Sequence, residues 1–423
     1  MALRITCLTL LLVGARSHRN RIYFVQANLK RSFLGNVGLQ IGKVFPQFDA
    51  KVWEFRRDRH CRSQQKLLNN LGLRLAQGNI PDRPIHLVVA AHHGPDAPNW
   101  HIAGGNIGFE TYLSAVELLG EENVSLFGAQ KDESEISWQS RLLELMIENK
   151  TTHLLGQIEN DPNQAHNWSW DVLTNIFEQY WDGVLIGMMH DSAFEWLRLK
   201  TKRIGKIYSR VLYVDICEPI DGYIVSGRPE VGPVTMPMSQ ATVARILEYV
   251  DGREKVHQVS FIGALYDYRV QLIDALRSDG FDVVVNPHRP DTTADYLESR
   301  TNQPTYLDYM AGLSQSELTI NFSLASGGPH EQYKIRIQEA SLVGTLCLTD
   351  DKERTRLFFD SNEYRFFDSI ASIENVVQST LRDPPQLQED QKSAQIRALE
   401  LARTGFWGPI NHTLGLRRLP QLV

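Results

Sequence analysis

The 423-residue chain lacks the marks of several large protein classes. It has no long hydrophobic run, since its apolar stretch near the start, Ile5 to Ala15, is too short to span a bilayer. It has no excess of positive charge: 44 Lys and Arg against 50 Asp and Glu leave a net charge of −6, which gives no reason to invoke nucleic acid. Its four cysteines, Cys7, Cys61, Cys217 and Cys347, lie far apart without C-x-x-C spacing, so a disulfide framework is excluded and reduced, buried thiols in the cytoplasm are expected. No D-x-D triplet occurs, so no metal-bridged diphosphate is suggested. No G-x-G-x-x-G follows a predicted strand, which argues against a dinucleotide oxidoreductase. There is no internal repeat beyond the α/β alternation and no low-complexity tract. What remains is ordinary globular material, 42% hydrophobic and 22% charged, long enough for two or three domains.

The beginning is strongly basic. Residues 1–62 hold twelve Arg and Lys against three Asp and Glu, a surplus of nine. A solvated surface is the plain reading; a phosphate-bearing acceptor or a peripheral contact with an anionic membrane is the sharper one. Residues 1–20 read as a leader, a non-native extension or a buried strand; arginine directly after Val13-Gly14-Ala15 disfavours export. Arg21 to Val25 is a predicted strand. A loop with Gly35 and Asn36 leads to a helix ending near Phe45, and then to a predicted strand at Lys51 to Phe55.

Buried-type strands recur at His86 to Ala90, Asn123 to Phe127, His153 to Ile158 and Gly183 to Met188, with helical stretches between them such as Trp138 to Glu148 and Trp170 to Tyr180. That alternation predicts a doubly wound parallel sheet. Three of the strands end in chemistry-bearing residues: His92, Glu159, and His190 with Asp191. Such sheets place their sites at the strands' carboxyl ends. Val234 to Met238 and the helical Ala241 to Val250 read as the crossing into a second domain. There a strand at Val259 to Ile262, a helix over Asp267 to Ser278 and a strand at Phe281 to Val285 open a new unit.

The richest stretch is Ser316 to Asp350. Leu318 to Phe322 reads as a buried strand, and Ser323 to His330 as a loop punctuated by Gly327 and Gly328. Glu331 to Val343 reads as a helix stopped by Gly344, and Thr345 to Thr349 as a second strand. Glu331 and Glu339 are spaced E-x7-E, with Lys334 and Arg336 between them. Carboxylates bridge vicinal hydroxyls, while glycine amides, a helix N-terminus and cations receive a diphosphate. A sugar nucleotide presents all of these groups.

Arg336-Ile-Gln-Glu-Ala through Gly344 to Leu348-Thr-Asp350 resembles the R-x-x-E-A-x-x-x-G-x-x-x-L-T-D signature of CgeB-like glycosyltransferases, within the retaining GT-B group that carries E-x7-E. The likeness takes in Val259 to Gly263 with Arg269, Phe366-Phe-Asp368, Arg382-Asp-Pro384 and His412-Thr413, and so most of the C-terminal half. Upstream only the general layout agrees, although Gly183 to Asp191 is similar to the strand ending in H-D of GT-B acceptor domains. The chain departs from the wider pattern at Glu159-Asn160, where a histidine is usual, and at Ala264, where a basic residue is common.

The resemblance implies two Rossmann-like domains facing across a cleft. Residues 1–238 would bind the acceptor, 239–390 the nucleotide-sugar donor, and 391–423 would cross back as a helical segment. It implies glycosyl transfer with retention, without metal or other cofactor, to an unidentified glycan, protein or lipid-linked acceptor. Glu331 would orient the donor sugar and Glu339 hold the ribose. Gly263, Arg269, Gly327, Gly328, Lys334 and Arg336 would receive the diphosphate. His92 and His190 are the catalytic candidates of the first domain, with Gly35, Asn36, Glu159 and Asp191 on the acceptor side. The alternatives are a GT-B-fold sugar-nucleotide isomerase of the 2-epimerase type and a non-catalytic binding or coat-assembly protein.

Overall fold

The structure, a computed structural model, describes residues 46–91, 107–130, 133–158, 168–189, 195–216, 230–265, 267–287, 306–324, 331–351 and 353–423. The first described element is a 32-residue helix, α1 (Pro46–Gln77). The strand expected at Lys51 to Phe55 is therefore a correction. The Val-Trp-Glu-Phe run looks strand-like alone, but it opens a sequence rich in Leu, Arg, Gln and Ala. Cys61, Leu68 and Leu75 recur every seven residues in it as a buried seam. The expected strand at Arg21 to Val25, and Gly35 and Asn36, lie outside the described residues.

The first sheet is built from β1 (Leu87–Ala91), β2 (Val124–Gly128), β3 (His153–Gln157), β4 (Val184–Met189) and β5 (Val211–Asp215), all parallel, in the order β2-β1-β3-β4-β5. Strand β5 carries no turn signal before it and is an addition to the sequence reading. Helices α2 (Ile107–Leu119), α3 (Glu135–Glu148), α4 (Ser169–Tyr180) and α5 (Glu195–Ile207) connect the strands. Such strands are buried on both faces, and β4 and β5 are buried at every position.

After α6 (Gln240–Val250), a second parallel sheet follows: β6 (His257–Phe261), β7 (Val283–Val285), β8 (Ser316–Asn321), β9 (Leu346–Thr349) and β10 (Tyr364–Phe366), in the order β10-β9-β8-β6-β7. Its helices are α7 (Asp267–Ser278), α8 (Tyr306–Ser314), α9 (Arg336–Leu342), α10 (Ile370–Leu381) and α11 (Pro384–Thr404). Two Rossmann-like five-stranded parallel sheets in succession make this a doubly wound α/β fold with two sheets.

Helix α11 starts at Pro384 itself, earlier than the expected Gln391. Asp383 caps it through Gln386 N, and proline suits the first helical turn, where its missing N–H costs nothing. This helix stays on the second sheet: Leu387 and Ala394 lie in that sheet's core. The chain crosses only after Gly405, where a β-carbon would meet Thr235 Oγ1 at 2.2 Å. From there Phe406 and α12 (Trp407–Leu416), with Leu422, pack into the core of the first sheet. Trp407 Nε1 donates to Ser114 Oγ at 2.9 Å, and Arg417 donates to the Ser209 carbonyl at 3.0 Å. Residues Gln64–Val423 thus form one compact unit holding both sheets.

Candidate functional site

The strand order of the second sheet reverses between β6 and β8, since β7 lies on one side of β6 and β8 on the other. Ligands of open α/β sheets bind at such a switch point, outside the carboxyl ends of the strands. The residues there are Phe261 to Gly263 after β6 and Phe322 to Ser323 after β8. Gly263 has φ +150° and is clamped from the next strand end. Its N–H donates to Asn286 Oδ1 at 2.9 Å, while Asn286 N donates to the Phe261 carbonyl at 2.8 Å. A β-carbon at 263 would meet Phe261 Cζ at 3.2 Å and Arg336 Nη2 at 3.6 Å. Asn286, itself at φ +50°, was not legible as a site residue; the asparagine after a short strand is its faint signal.

Arg336 and Arg269 converge on this strand end. Their guanidinium carbons lie 6.0 and 5.8 Å from the centroid of the Phe261 ring. Arg269, on the first turn of α7, is the more confined. It also lies 5.4 Å from the Tyr268 ring and 5.2 Å from the Phe322 ring, and it donates to Tyr268 Oη at 2.9 Å and to the Ala264 carbonyl at 3.0 Å. Arg336 opens α9, and its buried Nε has no hydrogen-bond partner among the described residues. Asn321 Oδ1 and Ser323 Oγ at the end of β8 are likewise buried without a partner there. Lys334 is turned to its neighbour Gln332, whose side-chain oxygen accepts from Nζ.

The helix expected from Glu331 to Val343 is shorter. Helix α9 has seven residues, and Glu331 instead pairs with Leu324 in an antiparallel bridge, with Gln332 N donating to the Ser323 carbonyl at 2.9 Å. The loop is thus closed by backbone pairing before the helix begins, which removes residues 331–335 from it. A helix this short contributes little dipole, so charge at the site comes from side chains.

The two glutamates differ in setting. Glu339, in the first turn of α9, is buried; Tyr306 Oη donates to its Oε1 at 2.9 Å and Tyr309 Oη to its Oε2 at 2.7 Å. The two rings stack at 5.9 Å. Burial raises the Glu339 pKa, opposed by the tyrosine hydroxyls and the Arg336 charge. Both tyrosines come from α8, and the sequence reading passed over them because Tyr-x-x-Tyr reads as an ordinary apolar helix face. Glu331 is half-buried; burial and then the charges of Asp351 and Asp350 raise its pKa. Asp350 accepts from Ser323 N at 2.6 Å, which ties β9 to the end of β8. Asp351 caps the following turn through Arg354 N at 3.0 Å and Thr355 N at 2.9 Å.

In the first sheet the order reverses between β1 and β3. In the sequence His92 follows β1 directly, Glu159 comes two residues after β3, and His190 and Asp191 follow β4. All four, with Gly327 and Gly328, lie outside the described residues. Among the described residues no group of three or more His, Cys, Asp or Glu is placed to hold a metal ion.

Residues 269–403 match the family described as glycosyl transferase-like. No curated protein matches the chain in sequence. Among solved structures it is similar to sucrose-phosphate synthase from Thermosynechococcus elongatus (12% identity, 79% of this chain and 98% of that one, TM-score 0.49). It is also similar to HepE of Anabaena in complex with UDP-glucose (11%, 79% and 98%, 0.48). A third is the T4 phage protein BGT in complex with UDP and Mn2+ (10%, 79% and 100%, 0.44).

Proposed function

We propose that the chain is a cytoplasmic glycosyltransferase that takes a sugar from a nucleotide-sugar donor, with retention and without a metal, and passes it to a glycan, protein or lipid-linked acceptor. One observation carries the reading: Arg269 and Arg336 bring two guanidinium groups over the same ring at the switch point of a glycosyl transferase-like domain. A departing nucleoside diphosphate needs its new charge met by fixed cations, and guanidinium forks match phosphate oxygens in geometry. Gly263 leaves room for the diphosphate to approach the backbone. Arg336 receives it, and Arg269, more confined by its three rings, adds charge and holds the strand end.

Glu331 would contact the sugar, whose charge and geometry change during transfer. Glu339 serves the ribose side of the pocket. With both oxygens engaged by tyrosine hydroxyls, it reaches a diol only through its remaining lone pairs or by exchange of those hydroxyls. His92, His190, Glu159 and Asp191 remain the candidates from the first domain.

The test is turnover with UDP-, GDP- and dTDP-sugars in excess EDTA, with product analysis. Glycosyl transfer, or slow hydrolysis of donor alone with the anomeric configuration kept, is expected. Epimerised sugar nucleotide from donor alone would make the protein an isomerase. Donor binding without any turnover over a broad acceptor panel would make it a binding protein. Activity lost in EDTA and restored by Mg2+ or Mn2+ would overturn the metal-free leaving-group site.

A further inference from the structure

The start of α6 is held by a helix of the first sheet. Glu110 of α2 is buried, and its carboxylate accepts from Ser239 N at 3.0 Å and from Thr242 Oγ1 at 2.8 Å. Glu117, two turns further along α2, accepts from Gln240 N at 2.8 Å and from Ala241 N at 3.0 Å. Of the backbone amides from Ser239 to Thr242, only Thr242 N finds its acceptor in its own segment, the cap Ser239 Oγ at 3.0 Å. Helix α2 itself is fixed elsewhere, because Ile107 and Ala115 lie in the core of the first sheet. Carboxylates suit the amides of a helix start, but a helix ordinarily supplies such a cap from its own chain. A sealed carboxylate is also costly unless its hydrogen bonds offset the loss of water.

This clamp leads to Arg336. Val243 and Ile246 of α6 share one core cluster with Tyr306 and Tyr309 of α8 and with Ala340 and Leu342 of α9. The two tyrosines in turn hold Glu339, one turn after Arg336. On the other side of Arg336, Ile335 packs against the core of the first sheet. The backbone that carries Arg336 is therefore set from both sides by contacts that lead to the first sheet.

We propose that Glu110 is a positioning residue for the donor pocket: by holding the start of α6 against α2, it sets α8 and α9 and so the placement of Arg336. The proposal rests on the glycosyl-transfer reading for what Arg336 does, and on the hydrogen bonds above for how it is placed. Breaking the clamp leaves the donor able to bind but Arg336 less well aimed at the charge that develops on the diphosphate. Such a fault costs rate more than ground-state affinity. A helix cap that serves stability alone predicts something else, a uniform loss of protection throughout the protein.

The test is hydrogen exchange read by mass spectrometry on the full chain, beside steady-state kinetics with the UDP-, GDP- or dTDP-sugar that the wild type turns over. Glu110→Ala is expected to speed exchange about tenfold or more in α8 and α9, while α10, in the core of the second sheet, keeps its wild-type rate. It is expected to lower kcat about tenfold or more with a smaller change in donor KM. Glu110→Gln keeps one acceptor oxygen and the side-chain volume, and should recover part of both losses. If Glu110→Ala does not fold, Thr242→Val removes one donor to the same carboxylate and should give about a fivefold effect in the same direction. Equal acceleration in all elements, α10 included, would overturn the proposal. So would wild-type exchange rates in α8 and α9, or faster exchange there with kcat unchanged. If the wild type turns over none of these sugars, the glycosyl-transfer reading falls, and the exchange of α8 and α9 still decides whether Glu110 sets them.

Discussion

Tyr309 Oη donates to Glu339 Oε2 at 2.7 Å, and both groups are sealed from solvent. With Tyr306 on the other oxygen, the carboxylate is a structural tie between α8 and α9. We predict that Glu339→Ala destabilises the protein by about 2–4 kcal/mol, because two buried hydroxyls lose their acceptor. The pH dependence has a definite sign. Burial raises the folded-state pKa of Glu339 above its ordinary value. Its contribution is therefore full below the unfolded pKa and declines as pH rises through the folded one. The stability difference between wild type and Glu339→Gln should be largest in acid and shrink toward neutral pH. Chemical denaturation at several pH values measures it; a difference that grows with pH would contradict the burial argument.

Arg336 should be the more catalytic of the two arginines. It flanks Gly263 and its Nε has no hydrogen-bond partner among the described residues, whereas Arg269 is held by three rings and two hydrogen bonds. Arg336→Ala is expected to lower kcat by about 10²- to 10³-fold, the usual cost of removing a donor aimed at developing charge. Arg269→Ala should lose stability as well as activity. Gly263→Ala, strained at φ +150° and placed against Phe261 and Arg336, should weaken donor binding most. Steady-state kinetics beside melting curves separates the three. An Arg336→Ala enzyme with unchanged kcat would remove this residue from the leaving-group site.

Most of the layout was legible, because buried parallel strands read as short β-branched runs between amphipathic helices. Leu87–Ala91, Val184–Met189 and Leu346–Thr349 fall within a residue or so of their predicted limits. Misreadings arose where tertiary contacts overrode local pattern. Lys51 to Phe55 is helical because a buried seam further along the same helix fixes its state. Residues 331–335 leave the predicted helix because Gln332 finds a backbone partner in Ser323, which no spacing rule reveals. The site was half legible for the same reason. Gly263, Arg269, Arg336 and Glu339 sit in recognisable motifs, whereas Asn286, Tyr306 and Tyr309 reach them from other elements and carry no motif of their own.

Glu331 offers a different kinetic signature. Bridged through its backbone to Leu324, it accepts from no tyrosine pair among the described residues and is half-buried. We expect Glu331→Ala to lower kcat by roughly 10- to 150-fold with a smaller change in donor KM, because the contact would strengthen only as the sugar gains charge. Its melting temperature should move less than that of Glu339→Ala. Equal changes in KM for both variants, with kcat intact, would assign Glu331 to ground-state binding alone.

The end of the chain is fastened by a histidine, and acid should release it. His153, at the first position of β3, is fully buried, and its Nε2–H donates to the Pro420 carbonyl at 2.9 Å. A carbonyl only accepts, so Nε2 carries the proton of a neutral imidazole. Burial lowers the pKa of His153 to about 4, with the Arg210 and Arg83 charges acting in the same direction and the Pro420 bond against it. For a histidine whose folded pKa is depressed, stability is fully present above the unfolded value of 6.5. It is lost as pH falls through the interval down to about 4. The loss is on the order of 3 kcal/mol. Helix α12, just before this segment, is itself joined to α2 by the Trp407–Ser114 hydrogen bond. Acidification from pH 7 to pH 4 should therefore expose residues after Gly405 to limited proteolysis before the two sheets unfold. His153→Gln, which keeps a donor for Pro420 but cannot gain a charge, should flatten that pH dependence at some cost in packing. Equal acid sensitivity of tail cleavage in wild type and His153→Gln would show that another group governs the release.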